Sequence, residues 1–147
     1  MPDVWPCCTR TISGGSTGPC EGIPSPAEGD IDLPIGRAES SLLKRQADLL
    51  GQPAHTHYEV LAASQGRALL RLTPTTGRTH QLRVHMAAIG HPLTGDWLYG
   101  TEDQALIARP ALHSYHLRMM HPLTGAVIDV TAPLPEDIQR LLKEERL

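Results

Sequence analysis

Between His55 and Ala62 the chain alternates, with Thr56, Tyr58 and Val60 set against His57, Glu59 and Leu61; it alternates again from Arg67 to Thr73, with Ala68, Leu70 and Leu72 set against Arg67, Leu69 and Arg71. A period of two places each set on one face of a strand, and Ser64-Gln65-Gly66 suits the connection, so this segment predicts a β-hairpin. Beyond Pro74 the period changes. Leu82, Met86 and Ile89 share one side of a helix that Thr79 is placed to cap and that Gly90 and Pro92 end. Residues 91–111 read as loop. Leu112 to Met120 and Ala126 to Thr131 predict a second pair of strands around His121-Pro122-Leu123-Thr124-Gly125. The tail predicts a helix: Pro135 suits its first position, Glu136 and Asp137 face the positive end of the dipole, and Lys143 and Arg146 sit near the negative end. A further short helix is expected over 39–50, with Leu42, Leu43, Ala47, Leu49 and Leu50 as its apolar positions and Gly51 and Pro53 as its stop. Residues 1–29 carry no period of either kind, and Ser13-Gly14-Gly15-Ser16-Thr17-Gly18-Pro19 and Pro24-Ser25-Pro26 predict low order there. Together the elements give an α+β class: a mixed, mainly antiparallel sheet with few helices.

Composition narrows this picture. At 147 residues the chain has room for one ordinary domain. Aromatic residues make up 3% and Phe is absent, so the core must be built from Leu, Val, Ile, Ala and Met. The 13 Gly and 13 Pro imply short elements joined by many turns and exclude a long helical bundle. No apolar run approaches the roughly 20 residues of a membrane span, and Met1-Pro2-Asp3-Val4-Trp5 lacks the regions of a signal peptide. A soluble, unsecreted, cytoplasmic chain with no membrane partner is expected. Cys7, Cys8 and Cys20 form no disulfide framework and read as free thiols in a loose tail.

Charge is uneven behind the net value of −3: residues 1–59 hold four bases against eight acids, and 60–147 hold nine against eight. Within 67–85, Arg67, Arg71, Arg78 and Arg83 stand without an acid, the one local stretch suited to meeting a polyanion. The same stretch is dense in donors. Thr76-Gly77-Arg78-Thr79-His80-Gln81-Leu82-Arg83-Val84-His85-Met86 leaves a strand, turns at a glycine and starts a helix, which places Arg78 and the first helical N–H groups where an anion can be bound. Arg83 lies one turn beyond His80 and away from the Leu82 and Met86 side, positioned to pair with a carboxylate or a phosphate.

This string, followed by Gly90-His91-Pro92-Leu93-Thr94-Gly95-Asp96-Trp97-Leu98-Tyr99-Gly100, resembles the signature of the RluA-type RNA pseudouridine synthases. The resemblance extends upstream through Glu21-Gly22-Ile23-Pro24, Gly29-Asp30-Ile31-Asp32-Leu33-Pro34-Ile35 and Ala54-His55-Thr56-His57-Tyr58-Glu59-Val60-Leu61. Downstream it takes in Leu112-His113-Ser114, His121-Pro122-Leu123-Thr124-Gly125 and Ala132-Pro133-Leu134-Pro135, so it runs from about Glu21 to Asp137. Residues 21–147 then resemble the C-terminal part of the synthase domain, and residues 1–20 are left unassigned, disordered or unrelated.

The resemblance implies isomerisation of uridine to pseudouridine in structured RNA, ribosomal or transfer, with no cofactor and no metal. The family's chemistry rests on an aspartate in a His-Arg-Leu-Asp motif, a tyrosine that stacks on the uracil, and an arginine that pairs with the aspartate. Arg83 matches that arginine; Arg78, Thr79, His80, Gln81 and Arg71 would shape the site or bind the RNA, while Leu82 and Val84 pack. Asp96 belongs to a loop that the family uses structurally, near the site. No His-Arg-Leu-Asp string occurs in the 147 residues, and no Tyr precedes Tyr58. An N-terminally incomplete reading frame, shifted near Cys20, is therefore expected, with a chain that is inactive alone. The alternative is a non-catalytic RNA-binding remnant using Arg67, Arg71, Arg78 and Arg83. A metal site at His113-x-x-His116 or His80 with His85 is disfavoured, because no Cys or carboxylate completes a familiar spacing. The hairpin at 55–73 and the strands at 112–131 are expected to expose edges, favouring self-association.

Overall fold

A computed structural model describes residues 12–147. In chain order its elements are β1 (Ser13–Glu21), β2 (Glu28–Asp32), β3 (Ile35–Arg37), β4 (Arg45–Ala47), β5 (His55–Ser64), β6 (Arg67–Pro74), α1 (Gln81–Ala88), β7 (His113–Met120), β8 (Val127–Thr131) and α2 (Glu136–Glu145). Six strands form one sheet in the order β2-β5-β6-β1-β7-β8, each neighbouring pair antiparallel, while β3 and β4 form a separate ribbon. This is the α+β, mainly antiparallel arrangement that the patterning predicts.

The β5–β6 hairpin forms as its alternation requires. Gln65 (φ 52°) and Gly66 (φ 84°) both take the left-handed region, the turn whose twist matches that of the flanking strands. Thr56, Ala68, Leu70 and Leu72 are fully buried, and Tyr58 nearly so. Onto this face packs α1, bringing Met86, with Leu82 and Ile89 at its margin, into one core with Cys20, Ile31, Tyr58, Leu70, Leu72 and Leu93. A helix of eight residues is too short to persist unaided, so this contact is what holds it. Opposite, α2 buries Ile138 and Leu141 against Ile107 and Ala111. The Arg109 guanidinium pairs with both oxygens of Asp137 at 2.8 and 2.9 Å, and Arg67 bridges Glu21 to Glu145, which ties both ends of α2 down.

Three expectations are corrected. The low order predicted for residues 1–29 fails for 13–21 and 28–32, which are strands; the part of that segment before residue 12, with Cys7 and Cys8, lies outside the described residues. β1 has almost no intrinsic strand preference, but it fills the slot between β6 and β7, where tertiary pairing overrides propensity. Small residues are what the slot admits: a Cβ on Gly18 would lie 1.9 Å from the Ala111 carbonyl oxygen. Pro19 costs no bond to β6, because its carbonyl accepts from the Thr94 N–H and its nitrogen, on the same side of the strand, also faces away from β6. Cys20 is accordingly no tail thiol; it is fully buried, and burial pushes its pKa up to about 12.

The helix expected over 39–50 is replaced by β4 and turns. Ser41 Oγ takes the Leu43 and Lys44 N–H groups and Asp48 Oδ1 takes that of Leu50, local bonds that compete with a helix. Its apolar residues Leu42, Leu43, Leu49 and Leu50 are left exposed. Finally, the 55–73 hairpin is flanked on both sides, by β2 along residues 55–59 of β5 and by β1 along β6, so among the described residues the outer strands of the sheet are β2 and β8.

Gly18→Ala is expected to destabilise the fold by about 3 kcal/mol or more, the upper range for overpacking, because backbone atoms meet the new methyl. Gly77→Ala, with nothing within 4 Å, should stay within about 0.5 kcal/mol of the parent in the same urea titration.

Candidate functional site

Arg83 projects from α1 onto the loop after it, where Asp96 waits. Arg83 Nε donates to Asp96 Oδ2 at 2.8 Å and Nη2 to Oδ1 at 2.7 Å, a two-pronged charge-assisted pair. Asp96 is 0% exposed, and its Oδ1 also accepts the Leu98 and Tyr99 N–H groups at 3.1 and 3.2 Å. The carboxylate is thus fully engaged. The Asp96 hydrogen bonds hold the Arg83 pKa above its already high value, so the guanidinium is a permanent cation. Among the described residues its Nη1 has no hydrogen-bond partner, so one edge of the group is unused.

Tyr99 closes the cluster. The Arg83 guanidinium lies 5.0 Å from the Tyr99 ring centroid, within cation–π range. The phenol oxygen accepts the Arg45 N–H at 2.9 Å, which leaves its own hydrogen for His80 Nδ1 at 2.8 Å. In that arrangement His80 accepts at Nδ1, as a neutral imidazole does. Its pKa is lowered by burial first, then by the nearby charges of Arg83 and Arg45. The expected Thr79 cap is not made: His80 occupies the cap position in a left-handed conformation (φ 56°), without a side-chain cap bond. A non-glycine residue there costs about 1–2 kcal/mol, and here it turns the ring onto Tyr99.

What replaces the cap is Gln81. Its Oε1 accepts from Thr76 Oγ1 (2.7 Å) and the Arg78 N–H (3.0 Å), and its Nε2 donates to the His55 carbonyl (2.9 Å) and Thr56 Oγ1 (3.0 Å). Thr56 then donates to His85 Nδ1 at 2.9 Å, and His85 Nε2–H donates to the Leu33 carbonyl at 2.8 Å. Every polar atom in this buried relay is satisfied. His85 is fully buried, and burial lowers its pKa, consistent with the neutral tautomer the relay needs.

Of the residues singled out by sequence, the structure brings Arg83 and His80 together, with Arg78 and Thr79 exposed on the adjoining loop. Arg78 Nε donates to the Pro53 carbonyl at 2.9 Å. Gln81, at 4% exposure, faces the interior and acts on the site only by holding the Arg78 loop, with no surface for a ligand. Arg71 is corrected. The alternation that puts Leu70 and Leu72 under α1 puts Arg71 on the far face of the sheet, where it pairs with Glu59 at 2.8 Å. The acid-free stretch 67–85 is acid-free only along the chain, since Arg67, Arg71 and Arg83 each meet an acid from elsewhere. His113 and His116 are spent separately, on the Ala132 carbonyl and on Asp129, and among the described residues no group of three or more metal-ligating side chains forms. Sequence reasoning missed Tyr99 as a part of the cluster, and missed Arg45 because it read that segment as helix.

A family model described as RNA pseudouridylate synthase matches residues 9–88. The chain is 48% identical over 118 residues to the uncharacterized RNA pseudouridine synthase YjbO of Bacillus subtilis, covering 80% of this chain and 41% of that protein. It is 40% identical over 127 residues to ribosomal large subunit pseudouridine synthase D of Nitrosomonas europaea, covering 81% of this chain and 37% of the other. Among solved structures, human RNA pseudouridylate synthase domain containing 1 superposes with a TM-score of 0.74 at 25% identity, covering 93% of this chain and 66% of that one. The chain spans about two fifths of the length of these bacterial relatives.

Asp96→Asn strands a partly buried Arg83 charge and should cost about 3 kcal/mol in a denaturant titration. The lowered His80 and His85 pKa values predict an acid limb. Because the unfolded chain takes up these protons and the folded chain resists them, the stabilisation is complete above about pH 6.5 and is lost as pH falls below it. Thermal melts between about pH 7.5 and 5 should show falling Tm, with a shallower fall for His85→Gln; a parent curve flat over that window would contradict the assignment.

Proposed function

Since the chain belongs to the RNA pseudouridylate synthase family, we propose that it carries the arginine side of a site that isomerises uridine to pseudouridine in structured RNA, ribosomal or transfer. In that reaction the N1–C1′ bond breaks, the base turns, and C5 bonds to C1′; the hydrogen on C5 leaves and N1 gains a proton. Product and substrate are isomers, so no net oxidation or group transfer is required, and the resemblance implies that no cofactor or metal takes part. The observation that carries this reading is the Arg83 guanidinium, fixed on one edge by buried Asp96 and unused at Nη1. A guanidinium held in this way is preorganised to orient a second carboxylate beside a bound nucleotide.

That second carboxylate is the nucleophile in our reading, and it comes from outside this chain, since no His-Arg-Leu-Asp string occurs in the 147 residues. Asp96 is no substitute. It is fully buried and both of its oxygens are committed to Arg83. Tyr99 does not replace the stacking tyrosine either, because its ring face is against Arg83 and its hydroxyl is shared between His80 and the Arg45 N–H. The chain alone then binds RNA without turnover, in the cytoplasm, and associates through the outer strands β2 and β8; exposed Val127 and Val130 on β8 support that contact.

The test is release of tritium from C5-labelled ribosomal and transfer RNA. We expect none from this chain by itself. Release with enzyme-like turnover would overturn the assignment of the nucleophile to another segment.

A further inference from the structure

The ribbon of β3 and β4 carries an arrangement that neither folding nor the Arg83 cluster requires. In its register Arg37 stands directly opposite Arg45, and like charges in that position repel. Both line a recess of about 340 Å³ whose other wall is the loop Gly77-Arg78-Thr79; Arg78 adds a third guanidinium. Its remaining lining is Ile35, Leu50, Gln52 and glycines, with no acid among them. Asp48, a carboxylate beside the ribbon, lies where a Cβ on Gly36 would meet its Oδ2 at 2.7 Å, which is the other face of the ribbon from Arg37 and Arg45.

Two further observations show guanidinium nitrogens not spent on acceptors among the described residues. Arg45 Nη1 is buried there without a hydrogen-bond partner, an arrangement that polar groups in folded proteins rarely show. Arg78 is anchored through Nε to the Pro53 carbonyl, and among the described residues its two terminal nitrogens have no partner. Gly77 on the facing loop has nothing within 4 Å of where a Cβ would stand, so that wall leaves room for a tetrahedral group. We propose that this recess binds one phosphate of the RNA backbone, with Arg37, Arg45 and Arg78 as its ligands. The inference rests on the RNA reading above and adds where the strand runs. The Arg45 main chain is bonded to the Tyr99 hydroxyl that also holds His80, so the phosphate sits beside the nucleotide facing Arg83.

The experiment is binding of a fluorescein-labelled, uridine-containing RNA stem–loop to the chain, followed by anisotropy between about 50 and 200 mM KCl, for the parent, Arg37→Gln/Arg78→Gln and Arg71→Gln. Loss of one phosphate contact should reduce the slope of log affinity against log salt by about 0.7–0.9 in the double variant. Arg71→Gln, on the far face, should keep the parent slope. Arg37→Lys/Arg78→Lys should restore most of the slope, which a folding defect would not do; thermal melts of each variant accompany the titrations. A double variant with the parent slope overturns the recess and leaves the RNA reading standing. A parent chain that shows no salt-dependent binding overturns both.

Discussion

The Arg83–Asp96 pair is the constraint on which the site depends. A carboxylate with no exposure is expensive to bury, and it is tolerated only when its lone pairs are used. Here they are: two guanidinium nitrogens and two backbone N–H groups converge on it. Because Arg83 belongs to α1 and Asp96 to the following loop, the pair fixes one against the other. That loop is in turn hydrogen-bonded to β1, through Glu21 N–H to the Pro92 carbonyl and Thr94 N–H to the Pro19 carbonyl. Helix, loop and central strand are therefore one rigid unit, and Arg83 has a single orientation.

Neutralisation elsewhere decides which cations remain for a ligand. Arg67, Arg71 and Arg109 each spend their charge on an acid of the same chain, at sites that brace the sheet or α2. Among the described residues, four cations without an acid partner gather near Tyr99: Lys44 lies 5.9 Å from its ring centroid, and Arg37, Arg45 and Arg78 line the neighbouring recess, while Arg140, Lys143 and Arg146 lie on or just after α2. A chain of net charge −3 can thus present a cationic surface in one place.

Much of this was legible in sequence where period and turn chemistry agreed. Leu70 and Leu72 alternate, and they are the core; Gln65-Gly66 read as a turn, and is one. The resemblance located Arg83 and the Asp96 loop. What sequence could not show was tertiary. β1 is a strand because β6 and β7 leave a slot that its glycines fit, and nothing in Ser13-Gly14-Gly15 announces that. Leu42, Leu43, Leu49 and Leu50 suggested a helix face, yet Ser41 and Asp48 took the local N–H groups first. That loss hid Arg45. Gln81 read as shaping the site or binding RNA, and its helix position alone does not reveal that Thr56 and the His55 carbonyl lie beneath it.

The buried relay through Gln81 explains why an eight-residue helix can carry a site at all. Hydrophobic contact by Met86 and Val84 fixes the distance of α1 from the sheet, but apolar packing is non-directional and tolerates a rotation about the helix axis. Gln81 and His85 are one turn apart on the same side of α1, and both bond to Thr56 Oγ1. Any rotation of α1 would break both bonds together and leave buried donors unpaired, which costs far more than the packing it would gain. Arg83, between them in sequence and on another side of the helix, inherits its direction from that pair of bonds. The strained His80 is held by the same logic, since the relay on one side and Tyr99 on the other leave the intervening turn no relaxed alternative.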